Sequence, residues 1–365
     1  MSSCRGQHET WSGDARGAAA PCRAPEAVVV IPTLDEEQHI SAVLDGIRAD
    51  DAAVPVLVVD GGSRDATPAI VRRRMGWDSN LYLLRNPRRL QAAGVNLGAL
   101  VARDMGARIL LRLDAHARYP KGFIPGVLAA LRQSGADSVV VPLIAAGAPG
   151  WQAAAAALQR SWLGHGGAAH RRGGRRGWVE HGHHAAFRLE TFLRLGGYDA
   201  DLPACEDVEF DMRLCACAGR IWMEDRWPVS YRPRSSPGAL WRQMRRNGHW
   251  RLTVARARGQ PLRARQLLPL AATGGAAASL LAGLFVHPAL ALPAAGYLGL
   301  VLALSLAAAG IGHARRVFLL AVLSHTAYAV GMLGAAMAAA ASRSARTVHH
   351  AGSGRRGLMA RGRVA

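Results

Sequence analysis

Three stretches near the C-terminal end, 267–286, 289–311 and 317–341, are almost free of charge, and each is long enough to cross the hydrocarbon core of a bilayer. No other feature limits the fold so strongly, because inside lipid every backbone N–H and C=O must be satisfied within the segment, which leaves the helix as the form open to isolated runs of this kind. The soluble alternative, a set of Ala-rich core helices, rarely calls for such long uncharged runs. Pro288 marks a tight hairpin between the first two stretches. The basic flank RGQPLRARQ (258–266) and the short segment GHARR (312–316) both read as cytoplasmic under the positive-inside rule. A third crossing would put the six arginines of 342–365 outside, so the third stretch either stops short of crossing or the tail overrides the rule.

Ahead of these stretches the pattern is of another kind. AVVVIPT (27–33), PVLVVDGG (55–62), LYLLRN (81–86), RILLRLDA (108–115) and DSVVVPL (137–143) read as buried strands, and 36–48, 65–75, 90–105 and 121–134 carry helical periodicity between them. Strands alternating with helices predict a parallel α/β sheet, whose ligands sit beyond the carboxyl ends of the strands. Thr33, Asp60 and Asp114 fall at those ends. The Gly-, Arg- and His-rich stretch 164–178 reads as a mobile loop. Order returns at 185–199, a strand end and a helix closed by a glycine pair, and at CEDVEFDMRLCACAG (205–219), an acidic helix start.

The formal net charge is +20, and every basic residue but Lys121 is arginine, whose charge is permanent and whose fork suits phosphate or carboxylate. An anionic partner follows: nucleic acid, a nucleotide diphosphate or a membrane surface. The arginines are scattered through loops and tail rather than interleaved with aromatics on one module, which argues against nucleic acid. Five cysteines without metal-type pairing suggest a reducing compartment, and residues 1–26 lack the apolar core of a signal peptide and read as a disordered tail. The first strand is not followed by GxGxxG, which counts against an oxidoreductase, and a Walker lysine loop is missing, which counts against ATP hydrolysis.

The polar residues at the strand ends suggest chemistry instead. Thr33, Glu36 and Asp60 could accept from a nucleobase or ribose, with helix capping by Ser63 or Asp65 as the plainer role of their neighbourhood. Asp114 and His116, two apart on a strand, point to one face and could hold a divalent cation, Mn²⁺ or Mg²⁺, against a diphosphate; otherwise His116 is a loop histidine and Asp114 binds alone. Asp207, in CEDVEF, could act as a general base toward an acceptor hydroxyl, against the simpler reading of charge stabilising a helix terminus. LWRQMRRNGHWR (240–251) reads as an amphipathic basic helix able to hold a pyrophosphate or lie on a membrane.

Taken in order, VVVIPTLDEEQHI, VLVVDGGSRDAT, NLGALVARDMGARILLRLDAHARYP, FLRLGGYDADLPACEDVEFDMRL and RQMRRNGHW resemble family 2 glycosyltransferases, and most of all the bacterial exopolysaccharide branch typified by succinoglycan glucosyltransferases, over 27–255. The resemblance implies an α/β fold of GT-A type with a mostly parallel sheet, followed by transmembrane helices over 267–341 and a basic tail over 342–365. It also implies a nucleotide-sugar donor, UDP-glucose first, a divalent metal, inversion at the anomeric carbon, and a lipid-linked saccharide acceptor on the cytoplasmic face of the inner membrane. Transfer to polyprenyl phosphate and a non-catalytic membrane-binding role are the alternatives. Residue by residue, the nucleoside-binding acid matches Asp60 beside Thr33 and Glu36, the first acid of DxD matches Asp114 with His116 in place of the second, and the base of the ED pair matches Asp207. Asp35 stands where asparagine is usual, and QxxRW is partly kept as Gln243 and Arg246, with Trp250 displaced. Arg246 is thereby a candidate for the donor's diphosphate.

Overall fold

The computed structural model describes residues 24–173 and 176–359, with the side chains beyond Ala341 left aside; most of the expected tail over 1–26 and the side chains of the basic tail lie outside the described residues. The first half runs β1 (Ala27–Thr33), α1 (Ile40–Asp50), β2 (Val56–Asp60), α2 (Thr67–Met75), β3 (Leu81–Arg85), α3 (Gln91–Asp104), β4 (Ile109–Arg112), β5 (Ala117–Arg118), α4 (Phe123–Ser134), β6 (Ser138–Val141) and β7 (Leu143–Ala145). There follow α5 (Trp151–Arg160), α6 (Trp162–His165), α7 (Ala169–Arg172), β8 (Gly177–Val179), β9 (His183–Arg188), α8 (Leu189–Arg194), α9 (Glu206–Ala216), β10 (Ile221–Met223), β11 (Val229–Tyr231) and α10 (Pro237–Ala257). Last come α11 (Ala264–Phe285), a 3₁₀ turn over Pro288–Ala291, and α12 (Leu292–Met359).

Eight strands form one sheet in the order β3-β2-β1-β4-β9-β6-β10-β8, and β5-β11-β7 form a second. The pairs β3-β2, β2-β1, β1-β4 and β6-β10 are parallel, as the alternating pattern requires. The sheet is mostly parallel, as expected, with β9 running antiparallel to both β4 and β6. That reversal matters for function, because the start of β9 lies beside the carboxyl end of β4. Side chains alternate across β1: Val29 and Ile31 join the core under α1 and α4, while Val28 and Val30 join that under α3, α8 and α9. Pro142 has no N–H to give a ladder, so the single strand read over 137–143 is split into β6 and β7, which belong to different sheets. The stretch 164–178 contains α7 and the start of β8 rather than a continuous loop, with 174–175 outside the described residues.

Two helical runs are long and apolar enough to cross a membrane, Ala264–Phe285 and Pro288–Ala341. The hairpin at Pro288 is present. The expected loop at 312–316 is not: the helix runs through it, and the break falls at Gly310, whose φ of 64° and ψ of 175° are non-helical. The two apolar runs differ. α11 has no buried residue, whereas α12 on both sides of the break, Val301 before it and Val317, Leu320 and Ala321 after it, packs with Ala154, Ala155 and Leu158 of α5 and Leu240 of α10.

Candidate active site

The parallel register sets Thr33 of β1 opposite Asp60 of β2. The loops that follow are laced together: Asp35 N donates to Ser63 Oγ (2.8 Å), Arg64 N to Asp35 Oδ1 (2.7 Å), Glu36 N to Thr67 Oγ1 (2.8 Å) and Glu37 N to Asp65 Oδ2 (2.9 Å). Asp35 has a φ of 56°, a left-handed conformation that aspartate shares with the asparagine usual at this position. Asp60, 8% exposed, accepts from Gly62 N (3.0 Å), Ser63 N (3.1 Å) and the Ser63 hydroxyl, so its carboxylate braces the turn. Part of the expected capping is present, in that Asp65 accepts from Thr67 N at 2.9 Å. Thr33 Oγ1 is buried with no partner among the described residues, facing the loops just described.

β4 ends at Arg112, so Asp114 and His116 stand in the turn after it rather than on a strand, and the same-face argument from alternation does not hold. The turn exists because β5 must reverse to pair with β11 in the second sheet. Asp114 N donates to Tyr119 Oη (2.6 Å), and Asp114 Oδ1 accepts from Gln91 Nε2 (3.2 Å). His116 Nδ1 lies 2.9 Å from Glu36 Oε1, and Glu36 Oε2 lies 3.3 Å from His39 Nδ1. Glu36 is therefore engaged by two imidazoles, and its hydrogen bond raises the pKa of His116. Among the described residues no three His, Cys, Asp or Glu side chains converge in metal-binding geometry. Asp114 Oδ2 lies 3.7 Å from His183 Nε2. Burial pushes His183 down to about 4, which keeps its imidazole neutral and its lone pair available at neutral pH.

Arg112, unnoticed in the sequence, organises the centre. Its side chain is 6% exposed; Nη1 donates to Tyr198 Oη (3.2 Å), and Nη2 lies 3.4 Å from Asp114 Oδ1 and 3.8 Å from Glu206 Oε1. One buried guanidinium thus joins the turn after β4 to the start of α9. Beneath it His184, 1% exposed, links Tyr198 Oη (2.6 Å, from Nδ1) to Asp211 Oδ1 (2.8 Å, from Nε2), and His181 Nδ1 meets Asp211 Oδ2 at 2.7 Å. Reversed β9 delivers these histidines. The signals were present: an arginine inside the apolar run ILLRL and three histidines in HGHH.

The two acids at the start of α9 differ. Burial and then the charge of Asp207 raise the pKa of Glu206, despite Arg112. Burial also opposes ionisation of Asp207, but the fields of His181, His184, Arg112 and Arg251 outweigh it and hold Asp207 well below the ordinary carboxylate range. Asp114 is likewise lowered against its burial, chiefly by Arg112 and then His183 and His116. Arg246 is exposed on α10 and lines a cleft of about 660 Å³ against α12; no hydrogen bond or ion pair joins it to the Asp60 turn among the described residues. The structure thus brings Asp114, Arg112, Glu206 and Asp207 together, ties His116 to Glu36, and sets Arg246 in a separate cleft.

This arrangement, acids at the ends of a mostly parallel sheet facing an acidic helix start, is that of a GT-A-like glycosyltransferase. The model of the family "Glycosyl transferase family 2" matches residues 28–196, and the chain belongs to that family. The Succinoglycan biosynthesis protein ExoA of Rhizobium meliloti (strain 1021) is 39% identical over 259 residues, which is 70% of this chain and 78% of that one. Among solved structures, the mannosyltransferase PcManGT from Pyrobaculum calidifontis, in complex with GDP-Man and Mn²⁺, superposes with a TM-score of 0.50 at 22% identity, over 87% of this chain and 89% of that one. S. aureus TarS is more distant, with a TM-score of 0.44 at 17% identity, over 61% of this chain; the chain spans 39% of TarS.

Proposed function

We propose that this glycosyltransferase moves a hexose, with inversion, from a nucleotide diphosphate donor to a lipid-linked saccharide in exopolysaccharide biosynthesis. The single observation that carries the reading is the buried Arg112 guanidinium between Asp114 and Glu206, which keeps a leaving-group site and a base site within one side chain of each other. Its relative ExoA, by name a succinoglycan biosynthesis protein, supports the polymer class and, through it, UDP-glucose as first donor. Asp207 takes the proton of the acceptor hydroxyl as that oxygen bonds to the anomeric carbon on the face opposite the departing diphosphate. A carboxylate held ionised at neutral pH is always ready for that role, at the cost of being a weak base. Asp60 and Thr33, with Glu36 behind them, bind the nucleoside end, where the unpartnered Thr33 hydroxyl has hydrogen-bonding capacity to spare. Asp114, with His116 or His183, would hold a divalent cation, Mn²⁺ or Mg²⁺, which would supply charge neutralisation for the diphosphate. One carboxylate and a neutral imidazole suit such an ion, and the neighbour PcManGT was solved with Mn²⁺. A donor panel on the detergent-solubilised chain tests the assignment: turnover of UDP-glucose is expected, and turnover of a GDP-sugar alone refutes the donor.

The membrane arrangement belongs to the same reading. A hairpin of α11 and the part of α12 before Gly310 crosses the inner membrane, while the part after Gly310, against which Tyr297 and Val301 of the preceding part also pack, rests on α5 and α10 toward the cytoplasmic surface. Cationic α10 lies along residues 328–331 of α12, so a bilayer midplane at that level would hold its arginines at high cost. This topology returns the basic segments 258–266, 312–316 and 342–365 to one side, which removes the conflict with the positive-inside rule. Labelling of a cysteine introduced at Ser353, in a variant without the native cysteines, should require an opened inner membrane; labelling in sealed spheroplasts means that the third stretch crosses.

A further inference from the structure

The cleft between α10 and the second half of α12 is not accounted for by donor binding. Its volume is about 660 Å³, and its walls differ in kind. Arg234, from the segment after β11, and Arg242, Arg245 and Arg246 of α10 line one side, while Val330 and Gly334 of α12 line the other. Twelve other arginines hold a carboxylate among the described residues. The four in the cleft have neither an ion pair nor a side-chain hydrogen bond there. Four converging guanidinium groups repel one another and together favour a ligand with more than one negative charge, which their planar forks can grip through phosphate oxygens. Gln243, in the same cleft, keeps its Oε1 buried without a partner, a position that a hydroxyl donor would satisfy. The location is as telling as the lining. The charge of Arg234 is felt at His116, and that of Arg246 at Cys205, the residue before α9, so the cleft, though separate from the Asp114–Asp207 centre, has arginines on the side toward it.

We infer that this cleft seats the head of the acceptor, a lipid diphosphate whose phosphates lie on Arg234, Arg242, Arg245 and Arg246, whose sugar hydroxyls reach Gln243, and whose tail leaves along the apolar wall of α12. The inference rests on the glycosyltransferase reading and supplies what that reading lacks, a place for the acceptor. It also separates Arg246 from the donor. A general phospholipid headgroup would account for the arginines and the apolar wall, but one cationic helix face would serve that purpose, without a second wall opposite it or a buried amide oxygen.

The test uses the full chain in detergent, with affinities measured for undecaprenyl diphosphate, phosphatidylglycerol, inorganic pyrophosphate and UDP. The wild type should bind undecaprenyl diphosphate at least tenfold more tightly than either phosphatidylglycerol or inorganic pyrophosphate. The double variant Arg242→Gln/Arg245→Gln should lose roughly tenfold or more for each charged contact removed. Gly334→Leu keeps every charge, and a Cβ at Gly334 meets nothing within 4 Å, so it should fold, fill the apolar wall and weaken lipid diphosphate binding as well. UDP affinity should stay unchanged in both variants. Wild-type affinity for undecaprenyl diphosphate in both variants would leave the lipid-linked acceptor standing and move it out of this cleft. No binding by a wild type that still binds UDP would remove the lipid diphosphate itself. Equal affinity for phosphatidylglycerol or pyrophosphate would reduce the site to a general anion contact, and loss of UDP binding in the variants would return the cleft to the donor.

Discussion

Two glycines three residues apart on α12 should respond in opposite ways to the same substitution. A Cβ at Gly331 would overlap the Arg245 carbonyl oxygen and stand 2.9 Å from both the Arg245 carbonyl carbon and His249 N, where ordinary contact begins at 3.4 Å. The reverse holds at Gly248 of α10, where a Cβ would overlap the Tyr328 carbonyl oxygen and stand 2.9 Å from its carbon. Each helix therefore meets the other's backbone, which cannot swing aside as a flexible side chain can, and Gly331→Ala must drive the helices apart. A Cβ at Gly334 meets nothing within 4 Å. Both substitutions gain about 0.5–1 kcal/mol of helix propensity, and only Gly331→Ala incurs the overpacking cost of about 1–3 kcal/mol. For a domain of this size 1 kcal/mol moves the melting temperature by roughly 2–4 °C, so Gly331→Ala should melt about 2–12 °C below Gly334→Ala. Tryptophan-fluorescence melting of the two variants in one detergent measures the difference directly. If Gly331→Ala melts at or above Gly334→Ala, α10 and α12 do not cross as described, and the cleft between them is lost with the crossing.

Asp207→Asn should lower kcat by roughly 10² to 10⁴ with UDP affinity retained, and Glu206→Gln should lower it less; a dead Glu206→Gln beside an active Asp207→Asn would exchange their roles. Glu206 also predicts a pH dependence of stability. Its folded pKa is raised above the ordinary 4.5, so its ionisation opposes folding increasingly as pH rises through the interval between the two values, and fully above it. Glu206→Gln should therefore melt above wild type at pH 7 and match it below pH 4.5; an equal offset at both pH values excludes the charge as the cause. Removing a metal ligand should cost more than the ~10–100-fold typical of groups that only orient ligands, so Mn²⁺ titration of turnover in His116→Ala and His183→Ala distinguishes the two imidazoles. Unchanged metal dependence in both would leave Asp114 as the sole protein ligand of the three.

Much of the fold was readable because it follows local rules. The alternation of β-branched runs with periodic helices located β1, β2 and β3 with α1 to α4, and the acids at strand ends marked one end of the sheet. Asp207 and Asp114 were singled out in the same way, as acids in a chain that otherwise favours arginine, and their roles stand as proposals. Other expectations failed where a distant partner decides. Asp114 and His116 were assigned to a strand because the sequence of β4 runs on apolar to Leu113, and only the pairing of β5 with β11 forces the turn. The partner of Glu36 was hidden as well, because nothing in its neighbourhood announces that His116 lies within 2.9 Å. Arg112, His181 and His184 were passed over because their partners are distant in the chain: β9 and the residues just before it bring the histidines to Tyr198 and Asp211, and the start of α9 brings Glu206 to Arg112.

By itself the sequence determined the elements, the α/β class, the apolar C-terminal run and the residue types for phosphate and proton chemistry, since period, propensity and composition act over a few residues. Only the tertiary structure decided which of those residues meet. It set the direction of β9, the course of α12 through 312–316 and past Gly310, and the closeness of α10 to Gly331, because each depends on packing between segments far apart in the chain. The charges illustrate the difference. Glu206 and Asp207 are adjacent acids in the sequence, yet burial and the charge of its neighbour raise Glu206, while side chains up to 95 positions away hold Asp207 down, because in a poorly screened interior a carboxylate responds to whatever the fold brings near it.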